Sequence, residues 1–234
     1  QHADVISKDE LGGVQASVLI SFLRDQLQQG QRDFIILPLF FGNSRALTKF
    51  IPDTQAVLED EFGVFKILIK GTLHTPASSV LGSDSHLATI IFDHIQQVSH
   101  ASSLPLKNIV LVDHGSPSPE ITAVRNGAAD DVQVMLGQGV ALDQAVMERR
   151  EGKQYDFNGQ LLKTWLIAKA ESGETSAIVA LLFSLPGRHA GEGGDIASIC
   201  DSVMQRYPHF KVGISPLVSE HPLLLEILAD RLNG

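Results

Sequence analysis

Five short, continuously apolar runs, separated by longer amphipathic segments, restrict the fold of this chain more than any other feature of its sequence. The runs are rich in valine, isoleucine and leucine, and they lack the alternation of apolar and polar residues that marks a strand with one solvated face. They are "DFIILPLFF" (33–41), "FKILIKGTL" (65–73), "NIVLVDHG" (108–115), "SAIVALLFSLPG" (176–187) and "FKVGISPLV" (210–218). Such strands, alternating with helices, predict an α/β fold with parallel sheets.

Two of the intervening segments show clear helical signals. "VQASVLISFLRDQLQQG" ends at Gly30, which is a helix stop. "DIASICDSVMQRY" has apolar residues on one helical face, namely Ile196, Ile199, Cys200, Val203 and Met204. Cys200 is therefore expected in the core. As the chain's single cysteine it excludes an internal disulfide and a cysteine-rich metal site, which favours a reducing cytoplasm.

An internal repeat divides the chain. Residues 37–52 align with residues 182–197, so that Gly187 lies 145 residues after Gly42, and the strand at Phe210 starts 145 residues after the strand at Phe65. This predicts two tandem α/β units, 1–102 and 103–234, each a small parallel sheet flanked by helices, with the joint near 99–107. The first unit is expected to be incomplete at its N-terminus and to need about forty preceding residues, a strand and a helix.

The charge of the chain excludes some partners. The formal net charge of −9 argues against a nucleic-acid partner, because a phosphate backbone requires a basic face. The apolar runs are too short to span a bilayer, so no membrane partner is expected. The oligomeric state is not indicated.

Two histidines follow predicted strands at their carboxyl ends, where ligands bind in parallel α/β sheets. His114 ends the third run, and His189 lies in the glycine-rich loop "GRHAGEGGD" after the fourth. If these strands are neighbours, both side chains enter one crevice. The first unit has Ser44 in place of His189 and Phe50 in place of Asp195, so the chemistry is expected in the second unit.

The glycine-rich loop also suggests a phosphate cradle ahead of a helix. No Gly-Lys-Ser/Thr follows, however, and Glu192 and Asp195 would repel a phosphate, which disfavours a phosphometabolite-binding domain. Asp195 has two alternative roles. It could be the N-cap of the next helix, or it could orient a histidine.

Three motifs, "LVDHGSPSPE", "LPGRHAGEGGDIA" and "SEHPLLLEILADRL", occur in the order found in the sirohydrochlorin cobaltochelatase/ferrochelatase family, and the chain resembles these class II chelatases of cobalamin and siroheme biosynthesis. The resemblance covers the second unit in motif order and the first as a degenerate copy. It implies two chelatase-like units, of which 103–234 carries the active site.

The resemblance implies insertion of a divalent ion, Co²⁺, Fe²⁺ or Ni²⁺, into sirohydrochlorin or a related tetrapyrrole, without ATP or an organic cofactor. His114 and His189 would bind the incoming ion or accept the pyrrole protons, which suits neutral imidazole. The family also uses a glutamate after its second strand. Glu148 occupies a comparable place, which implies a role as catalytic residue and metal ligand, and Glu151 is the alternative. The non-functional explanation for either glutamate is a solvated charge at the end of a helix.

Local cations are expected to hold the carboxylate-rich substrate, because the protein is acidic overall. The candidate substrate-binding residues are Arg188, Arg149, Arg150 and Lys153, together with Gly187 and Ser116 from the two histidine motifs. Pro117 stands where many family members have arginine, and the glycine loop is longer than usual. A non-catalytic metal or tetrapyrrole carrier on the same fold therefore stays open as the second hypothesis.

The remaining histidines are expected outside the site. His221 precedes Pro222 at the start of a helix and is expected to be structural. The others carry no motif and are expected on the surface: His2, His74, His86, His94, His100 and His209.

Overall fold

The computed structural model describes residue 13 and residues 16–74 and 85–234. They form two compact units. The first comprises Asn43–Lys70 and the described residues up to Pro38, and the second comprises Leu39–Gly42 and the described residues from Gly71 to Gly234. In these described ranges, no helix is both long enough and apolar enough to cross a bilayer.

The first unit is a small parallel sheet with two helices. It contains α1 (Leu19–Gln28), β1 (Asp33–Ile36), a π-helical turn (Ala46–Phe50), α2 (Ile51–Phe62) and β2 (Lys66–Ile69). β1 pairs with β2 in parallel, with Asp33 opposite Lys66. Phe34 and Ile67 pack against a core of Leu23, Leu27, Leu58 and Phe65, so one face of each helix is buried on the sheet.

The second unit is a five-stranded parallel sheet in the order β5-β4-β3-β6-β7. Its elements are α3 (Ser85–Ser102), β3 (Ile109–Asp113), α4 (Pro119–Leu136), β4 (Leu142–Val146), β5 (Gln160–Leu161), α5 (Leu162–Glu171), β6 (Ser176–Leu181), α6 (Asp195–Arg206), β7 (Lys211–Ile214) and α7 (Leu223–Asn233), with 3-10 turns at Lys153–Asn158 and Val218–Glu220. The predicted α/β fold with parallel sheets is confirmed.

Helices cover both faces of this sheet, which explains the continuous apolar runs. Ile109 and Leu111 of β3 belong to a core shared with α3, α4 and α7. Val110 and Val112 belong to the core shared with α5 and α6. Cys200 is fully buried in that second core, and burial raises the pKa of its thiol to about 12, so the expectation of a core cysteine is confirmed.

The observed strands keep the offset of the predicted repeat. β7 begins and ends 145 residues after β2, and β6 ends 145 residues after the end of β1. The compact units nevertheless divide the chain differently from the predicted units, because α3 packs within the second unit. The boundary at residue 102 concerns the sequence repeat and stays a prediction.

Two strands, β4 and β5, were not predicted from the sequence, because β4 carries polar residues and β5 has only two residues. In β4, the Asp143 carboxylate accepts a hydrogen bond from Trp165 Nε1 (2.8 Å) and pairs with Lys169 Nζ (3.0 Å). Gln144 Oε1 accepts a hydrogen bond from Arg125 Nε at 3.2 Å. Side chains from α4 and α5 thus satisfy polar groups that make this strand look like a loop.

The prediction that the motif-free histidines lie on the surface was wrong for His74 and His94, which are both buried. His94 lies on the face of α3 that enters the core, and its ring packs on His221, with ring centroids 5.4 Å apart. His100 and His209 are exposed as expected. His2 lies outside the described residues.

Acid is expected to destabilise the protein through His94. Burial, together with the neighbouring His221, lowers the pKa of His94 below its ordinary value of 6.5, although Glu220 and Asp93 oppose the shift. The unfolded chain therefore binds a proton more readily than the folded one, so this contribution to stability is complete above pH 6.5 and is lost as the pH falls below it. We expect the free energy of unfolding, measured in urea between pH 7.5 and 5.5, to fall less in His94→Gln than in the wild type. An equal fall in both would contradict this role.

Candidate functional site

The sheet of the second unit reverses its strand order between β3 and β6. The chain proceeds from β3 to β4 and β5 on one side, and then crosses to β6 and β7 on the other. A crevice at such a reversal, outside the carboxyl ends of the strands, is where open α/β sheets bind ligands. His114 follows β3 and His189 lies in the loop between β6 and α6, so both histidines lie at this crevice.

The structure brings the predicted histidines into contact. The rings of His114 and His189 are edge to face, with centroids 4.7 Å apart. Glu148, two residues after β4, has Oε1 3.3 Å from Nε2 of His114. All three side chains are partly open to solvent, so an incoming ion or a flat ligand can reach them.

Glu148 reaches His114 because the β3–β4 hydrogen-bond ladder continues past both strands. The Met147 amide donates to the Asp113 carbonyl (2.8 Å), and the Glu148 amide donates to the His114 carbonyl (3.1 Å). Gly115 adopts φ +91°, and a Cβ atom there would lie 2.0 Å from the Glu148 carbonyl oxygen. Only glycine permits this turn, which holds the two functional residues in one register.

The glycine-rich loop folds back onto the start of α6. The amides of Asp195 and Ile196 donate to the carbonyls of Arg188 and His189, each at 3.1 Å. These amides head the helix and would have to point at a bound phosphate. Because they are already used within the loop, the geometry disfavours a phosphate cradle, in agreement with the sequence analysis.

Asp195 orients His189 rather than capping the helix. Gly194 is the N-cap residue, and no side chain caps this helix end. The Asp195 carboxylate instead lies with Oδ2 2.7 Å from Nδ1 of His189. Of the two roles left open by the sequence, the geometry supports the second.

The hydrogen bonds assign the tautomer of one of the two imidazoles. Nδ1 of His189 lies 2.7 Å from the Asp195 carboxylate, which can only accept, so Nδ1 carries the proton and Nε2 keeps its lone pair. His114 has an acceptor at both ring nitrogens, the Gly115 carbonyl 3.0 Å from Nδ1 and Glu148 Oε1 3.3 Å from Nε2. The His189 lone pair, the His114 ring and the Glu148 carboxylate are therefore the groups that can meet a cation or a proton.

A buried ion pair connects α4 with the last residue of β3, which lies next to His114 in the sequence. Asp113, the residue before His114, accepts a hydrogen bond from Arg125 Nη1 at 3.0 Å, and both side chains are almost fully buried. Burial raises the pKa of Asp113, and Arg125 opposes that rise by stabilising the carboxylate. The sequence does not reveal this pair, because an arginine inside the "ITAVRNGAAD" segment is indistinguishable from a solvated helix residue.

A cavity of about 210 Å³ lies beside His114 in this unit. Its polar lining includes Asp113 and Ser184. Its apolar lining consists of Phe41, Ile121, Val124, Leu182 and Phe183. Such a wall suits the flat face of an aromatic or conjugated ring better than a small polar metabolite.

The four predicted substrate-binding cations differ in their partners and in their exposure. Arg149 is held by the Gly159 carbonyl (2.9 Å) and by Asp156 (3.3 Å). Arg188 is largely exposed, 3.9 Å from Asp195. Arg150 lies over the Tyr155 ring, and Lys153 is exposed.

The other predicted residues flank the histidines. Ser116 Oγ accepts a hydrogen bond from the Ser118 amide, and Gly187 is exposed in the loop, where a Cβ atom would meet nothing within 4 Å. Glu151 is exposed, and among the described residues it forms no hydrogen bond or ion pair with either histidine. Of the two glutamates, Glu148 is therefore the one that the structure places beside His114.

The site is open rather than a closed coordination sphere. In the ranges that the structure describes, no group of three or more His, Cys, Asp or Glu side chains is arranged to hold a metal ion as it stands.

Comparisons with known proteins agree with the architecture. A model of the CbiX family matches residues 108–234, more than half of the chain. No curated protein sequence matches the chain. Among solved structures it is similar to SirB from Bacillus subtilis with Fe³⁺, at 16% identity and a TM-score of 0.63, over 94% of this chain and 77% of that one.

Two further structures share the fold at similar identity. The sirohydrochlorin chelatase SirB from Bacillus subtilis subspecies spizizenii, in complex with cobalt, matches at 13% identity and a TM-score of 0.62, over 94% of this chain and 76% of that one. CbiX, the terminal enzyme for biosynthesis of siroheme in denitrifying bacteria, matches at 15% identity and a TM-score of 0.57, over 88% and 77% of the two chains.

Proposed function

This chain belongs to the CbiX family, and from that premise we propose that it is a metal chelatase acting on sirohydrochlorin or a related tetrapyrrole. The second substrate is a divalent ion, Co²⁺ or Fe²⁺, with Ni²⁺ as a further candidate. The proposed reaction, as the family resemblance implies, uses neither ATP nor an organic cofactor.

The contact between His114 and His189 at the sheet reversal carries this proposal. Imidazole nitrogen is a ligand that first-row divalent ions favour. Two histidines and one glutamate, open to solvent, suit an ion that must be passed on rather than kept. A closed four-ligand sphere would retain the ion as a structural centre.

Metal insertion releases two protons, because the ion replaces both N–H hydrogens of the macrocycle. The neutral imidazoles of His114 and His189 can each accept one proton, and for His189 the accepting atom is Nε2, because Nδ1 faces Asp195. The Glu148 carboxylate, 3.3 Å from Nε2 of His114, stabilises the imidazolium that forms there. Asp195 does the same for His189 through Nδ1.

The cavity beside His114, at about 210 Å³, has room for one ring of a macrocyclic substrate rather than for the whole of it. Its apolar wall, which includes Phe41, Leu182 and Phe183, can pack against a pyrrole ring. The exposed Arg188 guanidinium can pair with a substrate carboxylate at the rim. These contacts would set the ring nitrogens against the histidines.

The proposal is tested by mixing the protein with sirohydrochlorin and Co²⁺, Fe²⁺ or Ni²⁺ in separate experiments, and by following the absorption of the macrocycle. A chelatase is expected to convert many equivalents of tetrapyrrole per site. A carrier, the alternative function, would stop at about one equivalent. Conversion no faster than in a protein-free control would contradict chelatase activity.

A further inference from the structure

Asn158 is fully buried although it lies in a 3-10 turn, Lys153–Asn158, outside the sheet and the long helices. A buried amide must have partners for its polar atoms, because an unsatisfied donor or acceptor is costly. The Oδ1 atom accepts hydrogen bonds from the Ser116 amide (2.9 Å) and from Thr122 Oγ1 (3.3 Å). The Nδ2 atom donates to the carbonyls of Ser116 (2.8 Å) and Tyr155 (3.2 Å).

Asn158 therefore binds both backbone polar groups of Ser116, the second residue after His114. The partners also fix the orientation of the amide, since the Ser116 N–H can only donate and its carbonyl can only accept. On the other side of Gly115, the Glu148 amide holds the His114 carbonyl. The loop that carries His114 is thus held at both ends.

Arg125 fixes Asn158 in turn. Its Nη2 donates to the Asn158 carbonyl at 3.0 Å, while its Nη1 donates to Asp113 at 3.0 Å. One buried guanidinium thereby connects the turn that carries Asn158 with the end of the strand that precedes His114. Loss of the Asn158 amide would release the Ser116 side of this arrangement and leave the β3–β4 ladder intact.

We propose that Asn158 is a positioning residue for His114, holding the His114–Gly115–Ser116 loop so that the His114 ring stays beside Glu148 and His189. The proposal rests on the proposed function, in which His114 binds the incoming ion. Partners that orient metal-binding residues typically contribute about 10- to 100-fold to metal affinity. A purely structural residue would change stability without changing the affinity of the folded protein.

The test compares Asn158→Ala with Asn108→Gly. Asn108 lies just before the opposite end of β3, adopts φ +54°, and donates from Nδ2 to Glu174 (3.0 Å) and to the Ser176 carbonyl (3.1 Å). Its replacement removes two side-chain hydrogen bonds far along the strand from the site. Both variants are titrated with Co²⁺ and melted to obtain a Kd and a Tm.

We expect Asn158→Ala to weaken Co²⁺ binding by about tenfold or more. The Kd of Asn108→Gly for Co²⁺ is expected to stay within about twofold of the wild-type value, even if its Tm falls by as much as the Tm of Asn158→Ala. If Asn158→Ala does not fold, Asn158→Asp is used instead, because it fills the same volume but places an oxygen opposite the Ser116 carbonyl. The same loss of Co²⁺ affinity is expected. Wild-type Co²⁺ affinity in a folded Asn158 variant would overturn the proposal.

Failure of the proposed function would look different. A wild-type protein that neither binds Co²⁺ nor converts tetrapyrrole would refute the proposed function. Positioning of the His114–Gly115–Ser116 loop by Asn158 is then tested separately by NMR. Faster exchange of the Ser116 amide and shifted His114 ring signals in Asn158→Asp support positioning by Asn158. Unchanged His114 ring signals exclude it.

Discussion

Replacing His189 by alanine is expected to lower the rate of metal insertion by about 100-fold or more, and His114→Ala by a similar factor. Each change removes one of the two imidazoles that are in contact at the crevice, and with it both a ligand and a proton acceptor. Initial rates of the absorption change with sirohydrochlorin and Co²⁺ measure the effect. Circular dichroism establishes that the variants are folded, which we expect because both side chains are partly exposed.

His100→Ala is the matched control. His100 is an exposed histidine in the last turn of α3, and it belongs to the same unit as the site. We expect its rate to stay within about twofold of the wild type, since exposed substitutions away from a site have small effects. Full activity in His189→Ala, or an inactive His100→Ala, would refute the assignment of the site.

Replacing Gly115 by alanine is expected to destabilise the second unit by about 3 kcal/mol or more and to abolish insertion. The new Cβ atom would lie 2.0 Å from the Glu148 carbonyl oxygen, and the backbone would be held at φ +91°. Relief of that clash has to separate the ends of β3 and β4, which moves His114 away from Glu148. Urea unfolding and the insertion rate are the two measurements.

Gly173→Ala separates backbone strain from the clash. Gly173 also has a positive φ, +86°, but a Cβ atom there would meet nothing within 4 Å. Its replacement is expected to cost only about 1 kcal/mol and to leave insertion unchanged. If Gly115→Ala were no more harmful than Gly173→Ala, the close approach of the β3 loop to Glu148 would not matter for the site.

The strands and the helix face that the sequence predicts correctly are those determined by a local pattern of apolar residues. The apolar runs predicted strands buried on both faces, and the centre of the "NIVLVDHG" run became β3. The helical spacing of Ile196, Cys200 and Val203 predicted the buried face of α6. The carboxyl ends of two such strands also located His114 and His189, because parallel strands end at the same edge.

The features hidden from the sequence depend on partners distant along the chain. The polar side chains of β4 resemble those of a loop in the sequence, because their partners Trp165, Lys169 and Arg125 are distant along the chain. Asp195 fits two roles equally well by position, and only the distance to His189 separates them. His94 looks like a surface histidine until α3 is packed on the sheet.

The pairing of each histidine with its own carboxylate has an electrostatic consequence. With both imidazoles in the neutral, metal-binding form, the Glu148 and Asp195 carboxylates give these four side chains two negative charges. One divalent ion brings these four side chains to neutrality, and so do two protons. Under the proposed mechanism, the ion leaves for the macrocycle as two protons take its place, so the exchange is electroneutral. The net charge of these four side chains and their bound cations is then the same in the loaded and the discharged state, as the proposed reaction without a nucleotide requires.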